Sequence, residues 1–375
     1  MKTAYIADVH LGNHSRFGRG IKAGINHRCE RALDVLREAV KLVAAEGCSK
    51  LVVLGDLFDS HAPPPQLIAA TQKIFWEAEA YDDLEVVCLK GNHECVTGAA
   101  GDHSLGPLGL EAATVVDKPQ IFAWEGYELW AVPFQPGVAK RWLPGVLQGL
   151  GSEGASGEGS SPASRSVRAL ALHLGIEARG RTPPWLRGAH DSVHRDQLVE
   201  LKKKHEIDWV FAGNWHDHLW LDGDCILQVG ALVPTGFSNL GMRYGFVAIH
   251  DTESPSLHVH ELDGPRFIKS SVKDAVDQLR QYPGCDIYVE SKVRPEDFDA
   301  ERSALESALA EGELADGVVL PDGAIAAQSA RKAASAARSA ETMAEAVEAY
   351  LTEMAMPEGI DRDEVSVLVR SYLRA

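Results

Sequence analysis

Short apolar runs alternate with helical patterns over the first 135 residues of the chain. Residues 3–8, 50–56 and 84–93 are apolar runs of strand length that end in polar residues. Residues 26–46 and 65–80 lie between these runs, and apolar side chains recur in the first of them at the spacing of a helix. Continuous apolar runs are typical of strands that are covered on both faces. The alternation therefore predicts an α/β fold.

The strand pattern continues beyond this part of the chain, around a segment of different character. Residues 149–166 consist largely of glycine, serine, glutamate and proline. Such a composition cannot bury a core, so this segment is predicted to be a flexible surface insertion. Further strands are predicted at residues 128–134, 168–175, 208–213, 225–232, 244–250 and 256–262.

The chain changes character again after residue 264, where a strand–helix–strand pattern predicts a small α+β domain over 265–322 behind a main domain at 1–264. Residues 323–375 are predicted to form a spacer and a helical tail. Within them, residues 324–349 contain 12 alanines in 26 positions, a composition that favours helix. Two amphipathic stripes end the chain: Met343, Val347, Tyr350, Leu351 and Met354, then Val365, Leu368, Val369, Tyr372 and Leu373.

The net charge and the cysteines limit which partners the protein can bind and which cellular compartment it occupies. The 37 basic and 54 acidic side chains leave a formal net charge of −17, so the molecule as a whole repels polyanions. A nucleic acid would have to be held by local basic loops, by metal ions or by a second subunit. Six cysteines occur without a C-x-x-C pair, which favours a reducing compartment. No apolar run approaches the ~18 residues of a membrane span. A cytoplasmic protein, or one that works in a host cytoplasm, is predicted, with no membrane partner.

Candidate metal ligands recur in one kind of place, the loop directly after a predicted strand. They are Asp8 and His10, Asp56 and Asp59, Asn92 and His93, His173, and the stretch GNWHDH at 213–218. A single D-x-H motif is weak, because short motifs arise often by chance. The carboxyl ends of strands in α/β folds converge on one crevice, however, so five such loops in succession predict a single site.

The ligand types suit two divalent cations. A carboxylate such as Asp56 can bridge two metals about 3.5–4 Å apart, as two-metal phosphoryl transfer requires. Asp8 and His10 would complete one side of the site, and Asn92 and His173 the other. Oxygen and imidazole ligands without a thiolate favour Mn²⁺, with Mg²⁺, Fe²⁺ or Zn²⁺ as alternatives.

Two further side chains are predicted to be catalytic rather than metal-binding. His93 follows Asn92 directly, so we expect it to face the substrate, where it would stabilise developing charge or protonate the leaving oxygen. Asp59 is expected to orient a metal ligand or a catalytic histidine. The alternative interpretation of Asp59 is a helix N-cap or a turn residue.

The order of these motifs resembles that of the calcineurin-like metallophosphoesterase superfamily. The strings DVHLG (8–12), VVLGDLFDSHAP (52–63) and GALVPTGFSN with YGFVAI (230–249) are similar to those of SbcD-like DNA repair nucleases, including their bacteriophage relatives. Protein phosphatases of the superfamily would carry Arg-Gly after the second aspartate, where this chain has Ser60 and His61. The resemblance covers about residues 1–262. It implies an αββα sandwich with a capping domain, and exonuclease and single-strand endonuclease activity in DNA repair and recombination.

One motif departs from that family, whose usual form is G-H-x-H with both histidines as ligands. Aligned without a gap, Asn214 and His216 occupy the two positions; aligned with a two-residue insertion, His216 and His218 do. Both pairs would point to the same side of an extended chain. We favour Asn214 with His216, because the first ligand then stays directly after Gly213 and an asparagine carbonyl can bind a hard cation.

The basic loops and the C-terminal tail are the segments predicted to contact partners. Arg16, Arg19 and Lys22 in one loop, and Arg179 and Arg181 in another, are predicted to bind DNA phosphates; the alternative is that both loops are ordinary solvated loops. The resemblance implies that the C-terminal helices dock an SbcC-like SMC-type coiled-coil ATPase, whereas amphipathic helices in general pack on their own domain. A homodimer is also compatible with the sequence. Two rival functions remain open, a small-molecule phosphodiesterase or nucleotidase and a non-catalytic scaffold that recruits the ATPase.

Overall fold

A computed structural model covers the chain, and its described residues are 1–14, 18, 20–79, 84–97, 99, 101–110, 112–154, 166–182, 186–236, 244–253, 256–279, 285–321 and 365. The chain divides into two compact units. The first contains Met1–Ile268 and Leu279–Tyr288, and the second contains Lys269–Gln278 and Val289–Ala375. No helix in the described ranges is long and apolar enough to cross a bilayer.

The helices and strands follow one another in the order that the alternation predicts, with several short strands added. In chain order they are β1 (Lys2–Ile6), β2 (Ile21–Lys22), β3 (Ile25–Asn26), α1 (His27–Ala45), β4 (Lys50–Val53), α2 (Pro65–Glu79), β5 (Glu85–Leu89), β6 (Thr114–Val116), β7 (Gln120–Trp124), β8 (Tyr127–Val132), α3 (Ala139–Gly154), β9 (Val167–His173), β10 (Gly175–Glu177), β11 (Ser192–His194), α4 (Arg195–His205), β12 (Trp209–Gly213), β13 (Leu219–Leu221), β14 (Ile226–Gln228), β15 (Phe246–Asp251), β16 (Ser256–Glu261), β17 (Arg266–Lys269), α5 (Val272–Leu279), β18 (Ile287–Val293), α6 (Phe298–Ala310) and β19 (Asp316–Pro321).

Two six-stranded sheets form the body of the first unit. One has the order β16-β15-β1-β4-β5-β6, and its strands β1, β4, β5 and β6 are parallel to one another. The other has the order β13-β14-β12-β9-β8-β7, and its strands β8, β9, β12 and β14 are parallel. The antiparallel strands β7, β13 and β16 lie at sheet edges, and β15 lies between β16 and β1, antiparallel to both. Each sheet therefore collects the carboxyl ends of its central strands along one edge.

Three apolar cores separate the layers. The first lies between helices α1 and α2 and one sheet, and the second between helices α3 and α4 and the other sheet. The third fills the space between the two sheets, where the rings of Tyr5 and Phe211 stack with centroids 3.8 Å apart. Helix, sheet, sheet and helix thus form four layers, and the expected αββα sandwich is confirmed.

The second unit combines helix and strand in a smaller arrangement. Helix α6 packs on β19, and the Glu301 carboxylate on α6 accepts hydrogen bonds at 2.6 Å from the Val272 backbone N–H and the Ser291 hydroxyl. Buried Leu305 and Ala308 form the inner face of this helix.

Two predicted segments differ from, or lie outside, what the structure describes. Helix α3 continues through the first six residues of the predicted insertion at 149–166, because Leu143, Leu147 and Leu150 share its buried face; residues 155–165 lie outside the described residues. The predicted spacer and tail at 323–375 also lie outside them, apart from Val365.

Candidate metal centre

The loops that follow the central strands of both sheets bring the predicted ligands together. Three groups of side chains have ligand atoms within 4.8 Å of one another. They are Asp8, His10 and His216; Asp8, Asp56 and His173; and His10, Asp56 and His93. Since these groups share members, they form one continuous cluster at the carboxyl edges of the two sheets.

On one side of this cluster, two imidazoles meet. His10 Nδ1 lies 3.1 Å from Asp59 Oδ1, and His10 Nε2 lies 3.0 Å from His216 Nε2. The Asp59 carboxylate can only accept a hydrogen bond, so His10 carries its proton on Nδ1 and turns the lone pair of Nε2 towards His216. Asp8 is fully buried beside them. A carboxylate and two imidazole nitrogens are a donor set that divalent cations bind.

On the other side, three acceptor atoms converge. His173 Nδ1 donates to the Leu54 carbonyl at 2.7 Å, which directs Nε2 inward, where it could bind a metal once it is unprotonated. This Nε2 lies 2.9 Å from Asn92 Oδ1 and 3.4 Å from Asp56 Oδ2. Ligand atoms held about 2.1 Å from one cation at right angles stand about 3.0 Å apart. The spacing therefore fits a shared cation.

The pKa values of His173 and Asp56 show that the site favours positive charge. Burial alone would lower the pKa of His173, but the Asp56 and Asp8 carboxylates and the Leu54 carbonyl together outweigh burial and raise that pKa to about 9. Burial likewise opposes ionisation of Asp56, yet His173 and His10 hold its pKa below the usual range. A proton shared with His173 thus stands where the donor set would accept a cation, and metal binding must release it.

The pKa values of Asp8 and His216 are both shifted in the direction that favours the neutral form. Burial raises the pKa of Asp8 to about 6, and the nearby Asp56 carboxylate adds to the rise. Burial and the neighbouring His10 lower the pKa of His216 to about 3. A neutral His216 keeps a lone pair for a metal, because only unprotonated imidazole nitrogen can act as a ligand.

His93 and Asp59 form a connected pair at the rim. His93 Nδ1 donates to the Asp59 backbone carbonyl at 3.0 Å, and its backbone N–H donates to Asp56 Oδ1 at 3.0 Å. The His93 side chain is 40% exposed, so Nε2 remains accessible to a substrate. Asp59 orients His10 with its carboxylate and His93 with its carbonyl, and His14 Nδ1 lies 3.4 Å from Asp59 Oδ2. Asp59 therefore contacts both a predicted ligand and the predicted catalytic histidine.

The backbone of the site is held in a conformation that L-residues seldom adopt. Asp8, His10, Asp56 and Asn214 have φ values of 51°, 50°, 50° and 90°. Left-handed backbone costs roughly 1–2 kcal/mol for a residue with a Cβ atom, and such strain concentrates at functional sites. Backbone hydrogen bonds between the two loops hold it here, from Asp8 N–H to the Gly55 carbonyl at 3.2 Å and from His10 N–H to the Asp56 carbonyl at 2.9 Å.

Glu94 is a site residue to which the sequence analysis assigned no role. Its carboxylate is fully buried and accepts three backbone N–H groups, from Phe58 at 2.8 Å, Gly91 at 2.7 Å and Asp56 at 3.2 Å. It thereby ties the loop after β4 to the loop after β5. A Cβ atom on Gly91 would stand 2.1 Å from Asp56 Oδ1, so only glycine permits this approach. The one available signal was the position of Glu94 in the Gly91–Glu94 motif.

Asn214 and His218 have different surroundings in the structure. His216, two residues after Asn214, is the histidine that faces His10. Asn214 lies beside it, where its backbone N–H reaches both Asp8 carboxylate oxygens at 3.0 Å and its amide Nδ2 donates to Asp191 Oδ2 at 3.0 Å. His218 belongs to none of the clusters found among the described residues; its Nδ1 lies 2.9 Å from the Val229 carbonyl. Because His216 is a ligand in both alignments, its position does not decide between them, and Asn214 as the second ligand stays a prediction. Asp191 is a partner of Asn214 that no sequence motif signals.

The predicted DNA-binding side chains are only partly described. Lys22 is exposed on the hairpin formed by β2 and β3, and Arg179 and Arg181 are exposed in the turn after β10. Arg16 and Arg19 lie outside the described residues.

Fold and site together define a class of protein, an αββα hydrolase with a cluster of ligands for divalent cations. Within that class, the family described as calcineurin-like phosphoesterase matches residues 1–218. The match covers more than half of the chain, so the protein belongs to this family. Membership implies a hydrolase that acts on phosphoester bonds and uses divalent metal ions, for which the cluster offers candidate ligands.

More specific similarities are short or distant. The DNA double-strand break repair protein Mre11 of Methanopyrus kandleri is 33% identical over 95 residues, which are 25% of this chain and 19% of that protein. The match thus spans less than a fifth of that relative's length. A Pseudomonas putida nuclease MPE has a TM-score of 0.25 at 18% identity, over 48% of this chain and 66% of its own. A Danio rerio dimetal phosphatase has a TM-score of 0.36 at 15% identity, over 66% and 92%. At such scores neither structure bears on function.

Proposed function

We propose that the protein is a DNA nuclease of the SbcD-like type, which hydrolyses phosphodiester bonds with two Mn²⁺ ions in DNA repair and recombination. The observation that carries this proposal is that Asp56 belongs to two ligand groups, one with His10 and His93 and one with Asp8 and His173. Within each group the ligand atoms lie within 4.8 Å of one another. Two cations bridged by one carboxylate would activate a water molecule and neutralise the charge on a phosphodiester.

The protein's own side chains supply the remaining chemistry. Asp59 and the Leu54 carbonyl fix the tautomers of His10 and His173, so that both present Nε2 to the cations. His93 Nε2 stands at the exposed rim, where it would donate a proton to the leaving oxygen. Asn214 is a weaker donor than imidazole, so one cation would be held less tightly than in the family's usual form.

DNA is the substrate favoured by three further observations. The motif strings resemble those of SbcD-like nucleases, and the relative that is 33% identical over 95 residues is named as a DNA double-strand break repair protein. Exposed Lys22, Arg179 and Arg181 supply local positive charge. The net charge of −17 instead favours a small phosphodiester, which makes a small-molecule phosphodiesterase the second candidate.

A Mn²⁺-dependent assay on labelled double- and single-stranded DNA and on bis-p-nitrophenyl phosphate tests the proposal. The nuclease should cleave both kinds of DNA, and Asp56→Asn should abolish cleavage because it removes the bridging charge. Cleavage of the small ester alone would favour the second candidate. Cleavage of neither substrate would favour a scaffold without catalytic activity. Charge reversal at Arg16 and Arg19 should weaken DNA binding and flatten its salt dependence.

We propose further that residues 340–375 dock a coiled-coil ATPase of the SMC type. The support for this proposal is the pair of amphipathic stripes in the sequence and the family resemblance. Removal of these residues should abolish ATPase binding in a pull-down while metal-dependent hydrolysis continues. All six cysteines are unpaired, in accord with the reducing cytoplasm that we propose as the site of action.

A further inference from the structure

The hairpin formed by β2 and β3 carries an apolar side chain far into solvent. Ile21 is 75% exposed, the highest value among the exposed large apolar side chains in the described part of the chain. Every residue from 20 to 24 is exposed, whereas Ile25 and Asn26 at the base are buried. The hairpin therefore projects its tip and anchors its base.

Its turn is built to a defined shape. Strands β2 and β3 pair Ile21 with Asn26 and Lys22 with Ile25, which leaves Ala23 and Gly24 as a two-residue loop. Their φ values of 52° and 83° are both positive, as in the hairpin turns that match the twist of paired strands. Alanine is strained in this region, so surrounding contacts must hold the turn.

Those contacts come from the metal-ligand loop itself. Asn13 Nδ2 donates to the Gly24 carbonyl at 2.7 Å, and Asn13 Oδ1 accepts the Asn26 backbone N–H at 2.9 Å. Asn26 Nδ2 in turn donates to the His14 carbonyl at 2.9 Å. Asn13 and His14 follow His10 by three and four residues. Three hydrogen bonds thus connect the hairpin to the loop that carries a predicted metal ligand.

An exposed isoleucine beside a lysine could contact the end of a DNA duplex, with the apolar side chain on a base pair and the ammonium group on a phosphate. Apolar side chains that enter between base steps unstack them, and burial of the side chain offsets part of the cost. Lys22, next to Ile21, can contact a backbone phosphate. We infer that the β2–β3 hairpin is a wedge: Ile21 packs against the terminal base pair and separates the strands, so that one strand enters the metal centre. This inference rests on the proposed nuclease function.

The test compares two DNA substrates that differ only at their ends. One is a blunt duplex, and the other is the same duplex with an unpaired fork, in which the strands are already separated. We expect Ile21→Ser to lower the ratio of the Mn²⁺-dependent initial rates, blunt over forked, about tenfold. Ile21→Phe, which keeps an apolar wedge, should retain a ratio within about threefold of the unaltered chain. Val259→Ser, at a 39% exposed apolar side chain on edge strand β16, is the matched control and should leave the ratio unchanged.

The outcomes separate the two proposals. Absence of DNA cleavage by the unaltered chain would overturn the nuclease proposal and the wedge with it. If the unaltered chain cleaves DNA but Ile21→Ser keeps the ratio, or lowers both rates equally, the wedge alone is overturned. Asn13→Ala tests the anchoring independently, because a loosened hairpin should lower the same ratio while Ile21 is still present. An unchanged ratio in this variant would show that the Asn13 hydrogen bonds do not position the hairpin for the wedge.

Discussion

Glu94→Gln should weaken both the fold and the metal centre, although it changes one atom. The buried carboxylate accepts the backbone N–H groups of Phe58, Gly91 and Asp56. Glutamine offers one oxygen, so its amide group must face at least one N–H that then has no acceptor. An unsatisfied buried donor costs about 1–3 kcal/mol. The free energy of unfolding should therefore fall by about that amount, and by more in Glu94→Ala, which leaves all three donors unsatisfied.

Glu94→Gln should also lower the affinity for metal ions, because Glu94 holds the backbone of Asp56. That residue has a φ of 50°, and its N–H is one of the groups that Glu94 holds. Loss of a partner that orients a ligand typically lowers metal affinity about 10–100-fold. Urea unfolding of the metal-free chain measures the first effect, and calorimetric titration with Mn²⁺ measures the second. Glu77→Gln, on the exposed face of α2, is the matched control and should change the unfolding free energy by less than about 0.5 kcal/mol.

Two results would refute this reasoning. If Glu94→Gln unfolds at the same urea concentration as the unaltered chain, the three hydrogen bonds do not contribute as their burial implies. If the unfolding free energy falls but Mn²⁺ affinity does not, Glu94 stabilises the fold without shaping the loop that carries Asp56.

Two other predictions concern the metal site and the inter-sheet core. Asn214→His should raise Mn²⁺ affinity about tenfold or more in a calorimetric titration, because Asp191 can accept from an imidazole N–H and orient the ring; equal affinity would contradict a ligand role for position 214. Burial lowers the pKa of His250 to about 4, so only the unfolded chain takes up a proton as the pH falls below 6.5. His250 thus makes the protein less stable as the pH falls towards 4, by about 2 kcal/mol at pH 5. His250→Phe should reduce the loss of stability between pH 7.5 and pH 5 by about that amount in urea unfolding, and an unchanged loss would contradict it.

The layered fold could be predicted because its central strands are covered on both faces. Residues 51–53 and 86–89 are continuous apolar runs, and all of them are buried between a helical layer and the opposite sheet. The hairpin of β2 and β3 escaped prediction, because strands of two residues are too short to show a period. Its conformation depends on Asn13, whose hydrogen bonds to the turn are visible only in the folded chain.

The sequence by itself determined that the predicted ligands would cluster. The loops that follow parallel strands all lie at one edge of the sheet, so polar residues in those loops come together there. Tertiary structure decided what spacing along the chain does not encode. It placed His216 opposite His10 and Asp191 beside Asn214, and it turned Glu94 inward to hold two loops. Short-range patterns record which side chains follow a strand, whereas hydrogen-bond partners far apart in sequence depend on how two sheets pack against each other.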